Sequence, residues 1–200
     1  MKIILTEQQY KLLIEQTGGL DNFLSQLVKR YPEVKNFKTD LENFIINSDC
    51  KKIEFASFKF PAQGAALHNG VLINKATLNK PLSFVLFVIF HEIAHQYQYK
   101  KYGEELMYKV YTDEISVEEA AKFMKNIEET ADEFADRKCR EYIKLGYIKS
   151  VTFQKFYKSV NLNYFSSFIN GVKSDLKTKQ LKSPDEISQY FYNKIKTEIE

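Results

Sequence analysis

The order of apolar and polar residues along the chain predicts mostly helices, with one interval of strands. Apolar residues recur three and four positions apart, the spacing of a buried helix face, in segments bounded by helix-capping and helix-stopping residues. These segments are 6–17, 21–31, 38–47, 82–103 and 116–145, followed by a helix pair within 144–182 and a last helix from 183. The three N-terminal helices are interpreted as packing elements.

Between residues 52 and 74 the pattern changes to that of strands. Lys52–Phe60 alternates polar and apolar residues, which is typical of a half-buried strand. Ala65–His68 and Gly70–Asn74 are short apolar runs joined at Asn69–Gly70, a hairpin signal. We therefore expect a small antiparallel or mixed sheet, and an α+β fold class. An edge of such a sheet can pair with an extended peptide by strand addition.

The apolar helix that begins at Leu82 contains the motif H-E-x-x-H at residues 91–95. Residues four apart lie on one face of a helix, so His91 and His95 can bind one metal ion from the same side. Glu92 can then reach a water molecule in an open coordination position, as in Zn²⁺ hydrolases. A pair of core histidines is the alternative, but buried histidines need polar partners, and a metal ion supplies them.

A catalytic zinc ion usually has three protein ligands, so a third ligand is expected outside the motif. In the following long helix, Glu128, Asp132 and Ala135 are spaced by four and three residues, which places them on one face. If this face packs against the histidines, Glu128 is the third ligand and Asp132 accepts a ring N–H from a ligand histidine. Glu129 and His68 are the alternatives for the third ligand.

The two helices resemble the active-site helices of the gluzincin branch of the zincin-like metallopeptidases. Residues 128–135 are further similar to the E-x-x-A-[DN]-x-F-A signature of the ImmA/IrrE family of small zinc proteases. The resemblance covers roughly residues 65–145 and implies a zincin-like fold, a zinc cofactor and a protein or peptide substrate. It also implies that Glu92 is the general base. The zinc ligands that it implies are His91, His95 and Glu128.

A peptidase of this kind also needs a donor that stabilises the oxyanion of the transition state. His68, Tyr97 and Tyr102 are candidates, and for each of them packing is the favoured interpretation. The pattern of residues does not choose among them.

Composition limits the remaining possibilities. A chain of 200 residues with 44% hydrophobic content suits a single domain, with N-terminal helices at 1–50, the sheet and zinc site at 51–146 and C-terminal helices at 147–200. The net charge of +3 implies no particular partner.

Cys50 and Cys139 are too few for a disulfide framework. With no signal peptide and no membrane-spanning run in the sequence, we expect reduced thiols and a cytoplasmic location.

Two other classes of function compete with the peptidase. One is a non-catalytic module, such as a regulatory protein or a phage-particle component, that binds zinc for folding; the opening residues are weakly similar to those of phage-encoded proteins. The other is a nucleic-acid binder, because residues 144–182 hold eight lysines and one acid among aromatic residues. An amphipathic helix pair explains this composition better, since the segment has no arginine for phosphate binding.

Overall fold

The computed structural model describes residues 19–48, 50, 52–59, 62–67, 70–149, 161–181, 186, 187 and 190. Over these residues the structure is of the mixed α+β class, as predicted. Its helices are α1 (Gly19–Arg30), α2 (Lys38–Asn47), α3 (Leu82–Lys109), α4 (Val117–Lys144) and α5 (Leu162–Thr178). Its strands are β1 (Lys52–Ala56), β2 (Gly64–Leu67) and β3 (Gly70–Asn74), and 3-10 turns follow α1 and β3 at Pro32–Asn36 and Lys75–Asn79. The predicted helix at 6–17 lies outside the described residues, as does most of the helix predicted from 183.

The sheet is mixed, with the strand order β1–β3–β2. β2 and β3 form the predicted antiparallel pair, but β1 runs parallel to β3. The prediction of a half-buried β1 is wrong, because Glu54 on its second face is only 4% exposed. Ile53 and Phe55 of β1 belong to one hydrophobic cluster and Ala56 belongs to another, while the Glu54 carboxylate accepts from the Gly19 backbone N–H at 3.3 Å. Alternation within a strand does not show which distant elements cover its two faces.

Two hydrophobic clusters form the core. The first cluster joins α1, α2, one face of the sheet, the N-terminal half of α3 and the C-terminal half of α4. The second cluster joins α5, the N-terminal half of α4, Tyr99 of α3, and Val110 and Tyr111 of the α3–α4 connection. α3 and α4 therefore pass from one cluster to the other. The middle of each helix lies where the two clusters meet.

The ends of α4 follow the sequence prediction. Ser116 and Glu119 form a reciprocal capping box at its start, and Gly146 has a φ of 75° just after its end, a backbone conformation that glycine adopts readily. The predicted end of the Leu82 helix near Gly103 is confirmed, because Gly103 has a non-helical φ of 74° and ψ of 163°. A second helical segment follows this break, as far as Lys109, and is counted here as part of α3.

The C-terminal segment supports the amphipathic interpretation where it is described. α5 buries Phe165, Ile169, Val172 and Leu176, whereas Lys177 and Lys179 are exposed. Residues 150–160, which hold the other half of the predicted helix pair, lie outside the described part of the chain.

Both cysteines, Cys50 and Cys139, are free and buried. Burial raises the pKa of the Cys50 thiol to about 12 and raises the pKa of the Cys139 thiol as well. Both thiols therefore stay protonated at neutral pH, and packing rather than reactivity explains their positions. No helix in the described residues has the length and apolar content that crossing a membrane requires.

Candidate metal centre

The site forms where α3 and α4 cross between the two clusters. The helices run antiparallel, so that His91 lies opposite Asp132 and His95 lies opposite Glu128. This pairing follows from the four-residue spacing on each helix, which turns both members of each pair toward the other helix. Ala131 and Ala135 of α4 are fully buried, and their small side chains allow a close approach of the two helices.

Three possible ligand side chains converge at this crossing. His91 Nε2 lies 3.1 Å from His95 Nε2 and 3.3 Å from Glu128 Oε2, and His95 Nε2 lies 3.7 Å from Glu128 Oε1. Bonds of about 2.0–2.1 Å to a tetrahedral zinc ion separate its ligand atoms by about 3.3 Å. The three side chains are therefore already spaced as the ligands of one small cation are.

The outer nitrogens of both rings have hydrogen-bond acceptors. Nδ1 of His91 lies 2.8 Å from Asp132 Oδ1, and Nδ1 of His95 lies 2.6 Å from Gln98 Oε1. These acceptors keep the protons on Nδ1, so the Nε2 atoms of the neutral rings present lone pairs. Two nitrogen lone pairs and a carboxylate then face one another, an arrangement that requires a shared cation or proton.

The pKa values of the groups at this site show the same requirement. Burial lowers the pKa of His91. The hydrogen bonds with Asp132 and Glu128 and the charge of Glu92 outweigh this effect and raise the pKa to about 10. Burial raises the pKa of Glu128, but the charge of His95 and the His91 hydrogen bond lower it well below its usual range. The site is therefore built around positive charge beside an ionised carboxylate.

Glu92 is buried beside this cluster, with 7% of its surface exposed. Its side chain lies against Gly64 of β2, and its charge contributes to the raised pKa of His91. Glu92 is thus near the histidines without being one of the three converging side chains. That position suits a proton acceptor better than a ligand.

Gln98 is a part of the site that the sequence analysis missed. Its Oε1 accepts the His95 Nδ1 proton, while its Nε2 donates to the Ile127 carbonyl at 2.8 Å and to Thr130 Oγ1 at 2.9 Å. Gln98 therefore links one histidine to the turn of α4 that carries Glu128. The position of Gln98 three residues after His95 was the available signal, but its contacts on α4 are set only by the packing of the helices.

Replacing Gln98 with Leu is expected to lower zinc affinity about 10- to 100-fold, the usual effect of losing a group that orients a ligand histidine. Competition with a zinc chelator would measure the affinity. Exposed Gln180, two residues after α5, offers the control Gln180→Leu, which should bind zinc as the wild type does; because its φ is 56°, this control is compared for zinc affinity and not for stability. Unchanged affinity in Gln98→Leu would show that His95 is oriented by other contacts.

Neither of the two alternatives for the third ligand, Glu129 and His68, is seen at the site in the described residues. Glu129 is on the outer side of α4, where it is 46% exposed and pairs with Lys125, and it does not join the converging atoms. His68 lies outside the described residues. Of the candidates for the third ligand, Glu128 is the one that the described structure brings to the Nε2 atoms of both histidines.

The tyrosines considered as oxyanion donors make packing contacts. The ring of Tyr97 lies 5.6 Å from that of Phe134 and is 38% exposed, and the ring of Tyr102 packs edge-on against Phe123 at 5.5 Å. These contacts agree with the favoured packing interpretation. The oxyanion donor stays unassigned.

The donor set fits zinc. Two imidazole nitrogens and one carboxylate oxygen are ligands that zinc accepts in catalytic sites with three protein ligands. The Nδ1 atoms of His91 and His95 are hydrogen-bonded to Asp132 and Gln98, as is usual for histidines that bind a metal ion.

Comparison of the chain with models of protein families, with curated proteins and with solved structures finds no match. The likeness to the gluzincins and to the ImmA/IrrE family therefore rests on the two sequence motifs alone.

Proposed function

We propose that this protein is a zinc-dependent metallopeptidase with a zincin-like fold. The observation that carries the proposal is the convergence of His91 Nε2, His95 Nε2 and the Glu128 carboxylate at 3.1–3.7 Å. Glu92 lies beside this cluster but outside it. Three ligands and a separate buried carboxylate are the components of metal-assisted hydrolysis.

Each side chain has a distinct role in this proposal. His91, His95 and Glu128 hold the zinc ion, while Asp132 and Gln98 keep the rings in the orientation and tautomer for binding. A zinc ion held there supplies a Lewis acid and lowers the pKa of a water molecule in its open position. Glu92 accepts the proton of the attacking water and later donates it to the leaving amine.

The position of β2 supports a peptide as the substrate. β2 is the terminal strand of the described sheet, and its first residue contacts Glu92. An extended peptide that added to the outer edge of β2 would run alongside the general base. A peptide bond could thus be presented to the site by main-chain hydrogen bonds, largely independently of its side chains.

Two measurements on the purified protein test the proposal. Elemental analysis should find about one zinc ion per chain, and a library of fluorogenic peptides should contain substrates whose cleavage stops when zinc is removed and resumes when it is restored. Bound zinc with no cleavage would favour the non-catalytic zinc-binding module instead. Correctly folded protein that neither contains nor binds zinc would contradict both functions.

A further inference from the structure

The backbone of Gly64 in β2 packs directly against the side chain of Glu92. A Cβ atom built on Gly64 would be 2.6 Å from Glu92 Cγ, 2.8 Å from Cδ and 2.7 Å from Oε1. All three distances are below 3.0 Å, a separation that Cβ atoms in proteins essentially never show from a non-bonded neighbour. Even an alanine at this position would therefore displace the carboxylate of Glu92.

The backbone of Gly64 does not by itself call for glycine. The glycines with positive φ in the described residues are Gly19, Gly103 and Gly146, and Gly64 is an ordinary strand residue paired with Ile73. Glycine inside a strand costs stability and often marks a close approach of another group. Here that group is the side chain of Glu92.

The elements on both sides of this contact are held in place. Gln96, one turn after Glu92, donates from Nε2 to the Gly70 carbonyl of β3 at 2.9 Å, which ties α3 to the sheet. On the other side, Asn74 of β3 donates from its backbone N–H to the Gln63 carbonyl at 2.9 Å and from its side chain to the Ala62 carbonyl at 2.8 Å. A side chain at position 64 would therefore be accommodated by rotation of Glu92 rather than by movement of α3 or β2.

We propose that Gly64 is a positioning residue for the general base: its bare backbone holds the Glu92 carboxylate in the orientation for proton transfer. This inference rests on the proposed function of Glu92. The three atoms nearest to a Cβ at position 64 all belong to Glu92 and none to a zinc ligand, so we expect a substitution there to separate proton transfer from metal binding. A displacement of about 1 Å at a reacting group is enough to cost about 10²-fold in rate.

The test compares Gly64→Ala with Gly171→Ala, a substitution in α5 where a Cβ meets nothing within 4 Å. Gly64→Ala should keep the wild-type zinc content and KM while kcat falls about 10²-fold. Gly171→Ala should change none of the three. Wild-type kcat in Gly64→Ala, or a loss of zinc that accounts for the whole decrease, would overturn the positioning role.

A second readout does not depend on activity. In a double-mutant cycle, Gly64→Ala should lower the urea midpoint of unfolding in the wild-type background but much less in the Glu92→Ala background, where the displaced side chain is absent. An equal decrease in both backgrounds would overturn the contact. A wild type that hydrolyses nothing would instead contradict the proposed function, and the cycle would still decide whether Gly64 and Glu92 compete for the same space.

Discussion

Replacing Glu92 with Gln is expected to lower peptide hydrolysis by about 10²–10⁴-fold, the range attributed to general acid–base catalysis, while zinc content stays at the wild-type level. The amide has the shape of the carboxylate, so it fits the space against Gly64, but it cannot accept a proton from water. Glu92 is outside the three converging side chains, so the substitution leaves the ligands intact.

This prediction is checked by measuring kcat on a peptide from the library and zinc by elemental analysis of the same preparation. Glu133→Gln on the exposed side of α4 is the matched control, since it makes the same chemical change away from the site. Full activity in Glu92→Gln would show that another group takes the proton. Loss of zinc in this variant would instead make Glu92 part of the ligand set.

Replacing Glu128 with Ala should lower zinc affinity by at least about 100-fold, because the loss of a direct ligand exceeds the 10- to 100-fold cost of losing an orienting group. The adjacent substitution, Glu129→Ala, is the matched control. Glu129 pairs with Lys125 on the outer side of α4, and an exposed pair of this kind contributes little. Replacing Glu129 should leave zinc affinity at the wild-type level, because Glu129 is not among the converging ligand atoms.

Chelator competition at one pH measures both affinities, and the rise in Tm on adding zinc gives an independent measure, because a ligand stabilises the folded state that binds it. The reverse order, with Glu129→Ala the more damaging variant, would move the third ligand to Glu129. Equal and small losses would point to a ligand outside the described residues, of which His68 is the first to examine.

The parts of the site that the sequence predicted depend on spacing within one helix. The four-residue spacing of His91 and His95, and that of Glu128 and Asp132, places each pair on one face whatever the rest of the fold does. The capping box at Ser116 and the terminal Gly146 are equally local, and the structure shows both. Neighbours along the chain determine such features, so a single sequence contains them.

The parts that the sequence did not predict depend on which elements meet. Gln98 reaches the Ile127 carbonyl across 29 residues, and nothing near Gln98 in the sequence indicates that partner. The parallel pairing of β1 with β3 and the burial of Glu54 on the second face of β1 likewise depend on neighbours supplied by distant segments. The alternation of polar and apolar residues along one strand depends only on that strand's sequence, and it does not show which distant elements pack against the strand.

By itself, then, the sequence determined the α+β class, the helices of the site and the residue types that can bind zinc, because helix periodicity and capping act over a few residues. Tertiary structure alone decided that the predicted face of Glu128 and Asp132 packs against the histidines of α3, that Gln98 links the two helices there, and that β2 places Gly64 against Glu92. These contacts depend on the relative placement of whole elements, which is settled by how the two hydrophobic clusters pack.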